Sequence, residues 1–178
     1  MFKNLQMQNK EFQAETKDDS EQMPIVASPA QMPQNPMLVV AFPGTGKTYY
    51  VNVGEGSYYM PQGFATDSDS SKFDKANFPA NYIEHIKKCI KEGYARIFIS
   101  SHKDVRDALV DNGLEFTLVY PKENLKCEYL ERYKQRGSPQ VFIDLIDKNW
   151  SVWLSECRSQ TGCKHIELES GKFIMNVL

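Results

Sequence analysis

The run Met37-Leu38-Val39-Val40-Ala41-Phe42-Pro43-Gly44-Thr45-Gly46-Lys47-Thr48 constrains this chain more than any other stretch. Its first six residues are apolar and read as a short buried strand. Pro43 to Gly46 turns the chain, and a helix follows from about Gly46 toward Val53, with Gly54 and Gly56 to end it. A buried strand, a glycine turn and a helix start open a β-α-β unit, so the domain is expected to build on a parallel sheet.

The same residues suit phosphate chemistry. Glycines let successive backbone N–H groups face one concave anion site. The helix start adds its partial positive end. In such a P-loop, Lys47 reaches the β- and γ-phosphates and the Thr48 hydroxyl holds Mg²⁺. Pro43, Gly44, Thr45, Gly46, Lys47 and Thr48 are therefore the expected nucleotide-binding residues. The pattern departs from the usual motif at its first glycine, which is Ala41 here. A turn that merely links a strand to a helix is the plainer alternative. The Gly-Thr-Gly-Lys-Thr run after an apolar strand argues against it.

Strand and helix signals alternate downstream. Gly63 to Thr66 reads as a second strand. Pro79 to Gly93 is an amphipathic helix with Tyr82, Ile83, Ile86, Cys89 and Ile90 on one face. Strand Ala95–Ser100, helix Lys103–Asn112 and strand Glu115–Tyr120 follow, with Pro121 ending the last. A helix spans Asn124 to Arg136, and another starts at Pro139 with Ser138 as its expected N-cap. Phe142, Ile146, Trp150 and Trp153 line one face of it, as core residues do. Lys164–Leu168 reads as a fifth strand, and Lys172–Leu178 as a short helix or extension. The expectation is an α/β chain with a three-layer α/β/α P-loop NTPase fold around a mostly parallel five-stranded sheet. Ligands in such folds sit at the carboxyl ends of the strands. The 43–48 loop, the Asp67 loop and the Ser100-Ser101-His102 turn would then share one crevice.

At 178 residues, one domain over 37–178 and a tail over 1–36 are expected. The tail carries Pro24, Pro29, Pro33 and Pro36 among many polar residues, which predicts disorder, with a weak helix near Phe2 and Phe12. A net charge of −2 gives no global field for nucleic acid, so any polyanion site must be local. No apolar run reaches membrane-spanning length, and residues 1–35 lack the apolar core of a secretion signal. A cytoplasmic protein without a membrane partner is expected. Cys89, Cys127, Cys157 and Cys163 show no disulfide spacing and read as reduced thiols. Cys157, Cys163 and His165 lack a CxxC pair and make a weak zinc signature.

Asp67-Ser68-Asp69 is the second informative cluster. Asp67 can serve Mg²⁺, while Asp69 accepts a proton or hydrogen bond from an acceptor hydroxyl. A solvated Asp/Ser turn is the alternative. No strand ends in the acid that positions water in P-loop ATPases: the third ends Ser100-Ser101-His102 and the fourth Tyr120-Pro121. A guanine-reading Asn-Lys-x-Asp run is absent as well. Arg132 and Arg136 project from one helical face, with Lys126 and Lys134 nearby. They are candidates for stabilising charge on a transferred phosphoryl group. The alternative is a surface helix laced with Glu128–Arg132 and Glu131–Lys134 pairs. His102 suits an acceptor contact or a helix cap.

AFPGTGKT, ATDSDSSKF and YLERYKQRGSP together resemble the small P-loop kinases of the nucleoside-monophosphate-kinase and shikimate-kinase group, and polynucleotide kinases start similarly. Phage-type P-loop kinases, with an Asp-Ser-Asp-Ser-Ser run and a Tyr-Pro strand end, are more similar still. The resemblance covers about Met37 to Leu178. It implies that Gly44, Gly46, Lys47 and Thr48 bind ATP and Mg²⁺, that Asp67 assists the metal and that Asp69 orients or deprotonates the acceptor. The chain lacks the glycine cluster that the family carries after its third strand, a departure from a shikimate-like acceptor site. The expected function is ATP-dependent phosphoryl transfer to a nucleoside, a nucleotide or a hydroxylated base, free or within DNA. The compartment would be the host cytoplasm for a phage-encoded protein. The charge balance favours a small acceptor over a long duplex. Two other classes fit the motif: an ATP-binding regulatory module, and an NTPase subunit of a larger complex.

Overall fold

The computed structural model of the chain describes residues 36–55 and 63–178. The expected tail, apart from Pro36, lies outside the described residues, as does Gly56. Strands β1 (Met37–Ala41), β2 (Ala65–Asp67), β3 (Arg96–Ser100), β4 (Thr117–Pro121) and β5 (Lys164–Leu168) form one five-stranded sheet in the order β2-β3-β1-β4-β5. Every pairing is parallel. The helices are α1 (Lys47–Glu55), α2 (Ala80–Lys91), α3 (Lys103–Asp111), α4 (Lys126–Gln135) and α5 (Gln140–Ser159).

Chain order explains which helix covers which face. The step from β1 to β2 crosses the sheet in one direction, and the three later steps run in the other. Right-handed crossovers then put α1 on one face and α2 to α5 on the opposite face. The packing follows this division. Leu38, Val40, Ile97, Ile99, Leu118 and Tyr120 meet apolar residues of α2 to α5. The alternate residues Val39, Ala41, Phe98 and Val119 meet Tyr50 and Val51 of α1, with Leu168 and Ile174. A period of two along each strand thus supplies both cores.

The element boundaries differ from expectation in small ways. Gly54 lies inside α1. The second strand starts later and includes Asp67, because Asp67 pairs with Phe98 of β3. Pro121 belongs to β4 and pairs with Leu168, since a proline at a strand's last position gives up little of the ladder. A 3₁₀ turn, Glu123–Leu125, precedes α4 and receives the Trp150 indole N–H on the Glu123 carbonyl at 2.8 Å. Ile146 and Trp150 are buried as expected, with Phe142 and Trp153 packed at the edge of the same core. The final segment forms a 3₁₀ turn at Ile174–Asn176.

Candidate functional site

The loop after β1 is held by its neighbours rather than by itself. Gly44 has φ +79°, and a Cβ there would lie 2.7 Å from a ring carbon of Tyr133, so both backbone and space demand glycine. The Tyr133 hydroxyl donates to the Pro43 carbonyl at 2.8 Å. Thr45 is fully buried, and its Oγ1 donates to the Phe42 carbonyl at 2.8 Å. Its carbonyl receives Ile174 N–H at 2.9 Å. The Thr45 side chain therefore faces away from the cleft and acts as a lock for the loop. Among the described residues, no protein acceptor meets the N–H groups of Gly44 to Thr48. Such a run of unpaired donors at a helix start is an anion site in waiting.

Lys47 folds back so that Nζ donates to the Ala41 carbonyl at 2.7 Å. Loss of water around the ammonium pulls its pKa down to about 8, against the opposing pull of Asp67 and with help from the Arg136 charge. Beside it, Thr48 Oγ1 donates to Asp67 Oδ2 at 2.6 Å. The hydroxyl and the carboxylate expected to serve one ion are thus already in contact.

The Asp-Ser-Asp-Ser run alternates outward and inward. Ser68 and Ser70 are buried, whereas Asp67 is half-buried and Asp69 exposed. The Ser68 N–H donates to the Phe98 carbonyl at 2.9 Å, extending the β2–β3 ladder. The Tyr82 hydroxyl donates to the Ser68 carbonyl at 2.5 Å and accepts the Ser100 N–H at 3.1 Å. Ser100 Oγ donates to Ser70 Oγ at 2.8 Å. This is not a free solvated turn. Asp69 caps a 3₁₀ turn, Ser70–Lys72, by accepting the Ser71 N–H at 2.9 Å. That bond chiefly holds its carboxyl below the usual aspartate range. Asp69 is accordingly a firm carboxylate and a weak base.

Arg132 and Arg136 both face the cleft, which measures about 760 Å³ and reaches from Gly44 to Asp69. Arg132 pairs with Glu128 and donates to the carbonyls of Gly44 at 3.4 Å and Lys172 at 3.3 Å. Its guanidinium lies 4.0 Å from the Phe173 ring centre. Arg136 sits over Tyr133 and donates to Ser138 Oγ at 2.7 Å. Ser138 is therefore not the N-cap of α5; Pro139 occupies that position without a side-chain bond. Lys126 pairs with Asp147 at 2.6 Å and does not line the cleft. Glu131 accepts from Gln135 rather than pairing with Lys134. The expected Glu128–Arg132 pair and the expected cleft position of Arg132 thus coexist.

Sequence reasoning missed the residues that frame this site. Glu128 also accepts from Ser170 Oγ at 2.7 Å and Gly171 N–H at 3.0 Å, tying residues 170–178 to α4. Phe173 then lies against Gly46, where a Cβ would sit 3.3 Å from its ring. Only the alternation of Asp and Ser carried a readable signal. His102 heads α3 without a side-chain cap bond. The four cysteines are free, and among the described residues no three His, Cys, Asp or Glu side chains converge on a metal position. Cys157 instead accepts from Arg106 at 2.9 Å, and Cys163 lies 3.5 Å from His165. No helix of the described residues is long and apolar enough to cross a membrane.

Comparison of the chain with protein-family models, curated proteins and solved structures returns no match in any of the three. Unpaired N–H groups, a lysine, two arginines and a hydroxyl–carboxylate pair converge at the carboxyl ends of the strands. That arrangement can receive a polyanion and hold a hard cation against it.

Proposed function

We propose that the chain is an ATP-dependent phosphotransferase with a P-loop NTPase fold, and that its 43–48 segment is the P-loop. The observation that carries the reading is the 2.6 Å contact of Thr48 Oγ1 with Asp67 Oδ2 beside the unpaired loop N–H groups. Oxygen donors fit Mg²⁺, which takes one or two protein ligands and completes its shell with water and phosphate rather than needing a protein cage. Thr48 and Asp67 would hold it. When bound, the ion neutralises charge on the phosphates of ATP. The backbone of residues 44–48 cradles those phosphates, Lys47 meets the terminal ones, and Arg132 and Arg136 face the transferred group. Asp69 orients the acceptor. Its low pKa suits an acceptor that is already ionised better than a hydroxyl that must be deprotonated.

The test is an acceptor screen with labelled ATP and Mg²⁺ across nucleosides, nucleoside monophosphates and hydroxymethylated DNA. Label should appear on an acceptor with wild-type protein and vanish with Lys47→Ala. Nucleotide binding without transfer to any acceptor would point instead to a regulatory module. Hydrolysis that needs no acceptor and accompanies assembly would point to an NTPase subunit.

A further inference from the structure

A second pocket opens beyond Lys47. It holds about 220 Å³ and shares Pro43, Lys47 and Ser100 with the main cleft. Its far wall is formed by Arg106 of α3 with Glu156 and Cys157 of α5. Arg106 is only 1% exposed. Its Nε donates to Gln160 Oε1 at 3.1 Å and its Nη1 to Cys157 Sγ at 2.9 Å. Nη2 has no hydrogen-bond partner among the described residues. The carboxylate facing it, Glu156 Oε2, stands 3.9 Å away at the rim. A buried guanidinium with unfilled donors is costly unless the pocket receives an acceptor.

The pocket also meets the start of α3, a nine-residue helix whose cap His102 contributes no side-chain bond. The Asp104 carboxylate in its first turn accepts the Val105 N–H at 2.9 Å, so the helix start brings a negative charge of its own. Every charged group in the wall can be named. Lys47, Lys103 and Arg106 are positive, and Glu156 is negative. Lys103 is paired with Asp107 at 2.5 Å. Burial lowers the pKa of His102, so its imidazole adds no charge near neutral pH. With Lys103 paired, Lys47 and Arg106 are the cations left to meet an anion, opposed by Glu156 and by Asp104 at the helix start.

We propose that this pocket seats the anionic group of the phosphoryl acceptor. The acceptor then carries its own phosphate, as a nucleotide does, and is not an uncharged nucleoside or base. This rests on the phosphotransferase reading, because the shared Lys47 is what makes the occupant of the pocket an acceptor. Whole-ligand pockets span roughly 300 to 1,000 Å³, so a space of this size takes one end of a molecule. The remainder extends past Ser100 into the main cleft, toward Asp69.

The test loads the full chain with Mg²⁺ and a non-hydrolysable ATP analogue, then titrates inorganic phosphate by calorimetry. One further phosphate should bind. Arg106→Gln should weaken it by about tenfold or more, the worth of a charge-assisted bond. Glu156→Gln should tighten it by roughly threefold to tenfold by removing a competing carboxylate. Analogue affinity should hold in both variants. No second phosphate, or affinities unchanged in both variants, overturns the proposal. If Arg106→Gln fails to fold, the rim variant Glu156→Gln decides alone.

Displacement then separates an acceptor's phosphate from a free one. In the loaded chain, nucleoside monophosphates should displace the bound phosphate where the matching nucleosides do not. Displacement by neither overturns the acceptor assignment. A chain that takes no ATP analogue but binds phosphate through Arg106 refutes the phosphotransferase reading and leaves the anion seat. A chain that takes the analogue but no phosphate does the reverse.

Discussion

Lys47 is the residue on which most of the site's electrostatics turns. Its pKa of about 8 lies below the ordinary 10.5 of a lysine. Between these values the unfolded chain holds a proton that the folded chain has released. Stability of the ligand-free chain should therefore rise with pH across that window, while the full burial penalty applies below about 8. Lys47→Met should raise the melting temperature at pH 7 and flatten that rise, measured by thermal unfolding at several pH values. Lys47→Ala should keep the fold and lose turnover. ATP affinity should fall as pH passes about 8, because the anion prefers the protonated lysine. The acids separate by role. Asp67→Asn should raise the Mg²⁺ concentration needed for half-maximal rate. Asp69→Asn should leave ATP and Mg²⁺ binding intact and lower the rate by less than about 10²-fold, the lower end of a general base's contribution. A larger loss would show proton abstraction. Since its pKa is depressed, Asp69 should impose no acid limb until pH falls below the ordinary aspartate value.

Between elements, the placement of Asp67 and Asp69 depends on a tyrosine outside the proposed site. Tyr82 of α2 is fully buried and joins the loop after β2 to the end of β3 through Ser68 and Ser100. Tyr82→Phe removes the shared partner of a carbonyl and an N–H, which should cost about 1 to 3 kcal/mol in a denaturant melt. It should also raise the Mg²⁺ requirement, since the same bonds set Asp67 against Thr48. The strands, the helices and the crevice shared by the loops after β1 and β2 were legible because apolar period and glycine punctuation are local signals. Of the expected Ser100-Ser101-His102 turn only Ser100 reaches that cleft, while Ser101 and His102 line the smaller pocket. Tyr82 read simply as a core residue, since its hydroxyl partners come from two other loops. Ser138 misled for a related reason. A serine before a proline resembles a cap until Arg136 claims its hydroxyl.

At the scale of the whole molecule, the two sheet faces are covered unequally. Four helices pack one face, and α1 shares the other with the turn at Ile174. The sequence implied helices on both faces, but the one-to-four division follows from the strand order, which no local signal carries. The closing of residues 170–178 over the 43–48 loop was not legible either, because nothing near either segment names the other. Ile174 is fully buried there. Ile174→Ala should destabilise the fold by about 2 to 5 kcal/mol, as deletion of a buried isoleucine side chain does. Its stability loss should be accompanied by weaker nucleotide binding, since the Ile174 N–H holds the Thr45 carbonyl. The same bond orders events during synthesis. Residues 170–178 leave the ribosome after every strand of the sheet, so a nascent domain can assemble its sheet while the loop still lacks its clamp. A translation arrest upstream of Ser170 should then leave a folded sheet whose 43–48 loop lacks this clamp, read as weaker binding of an ATP analogue by the proposed P-loop.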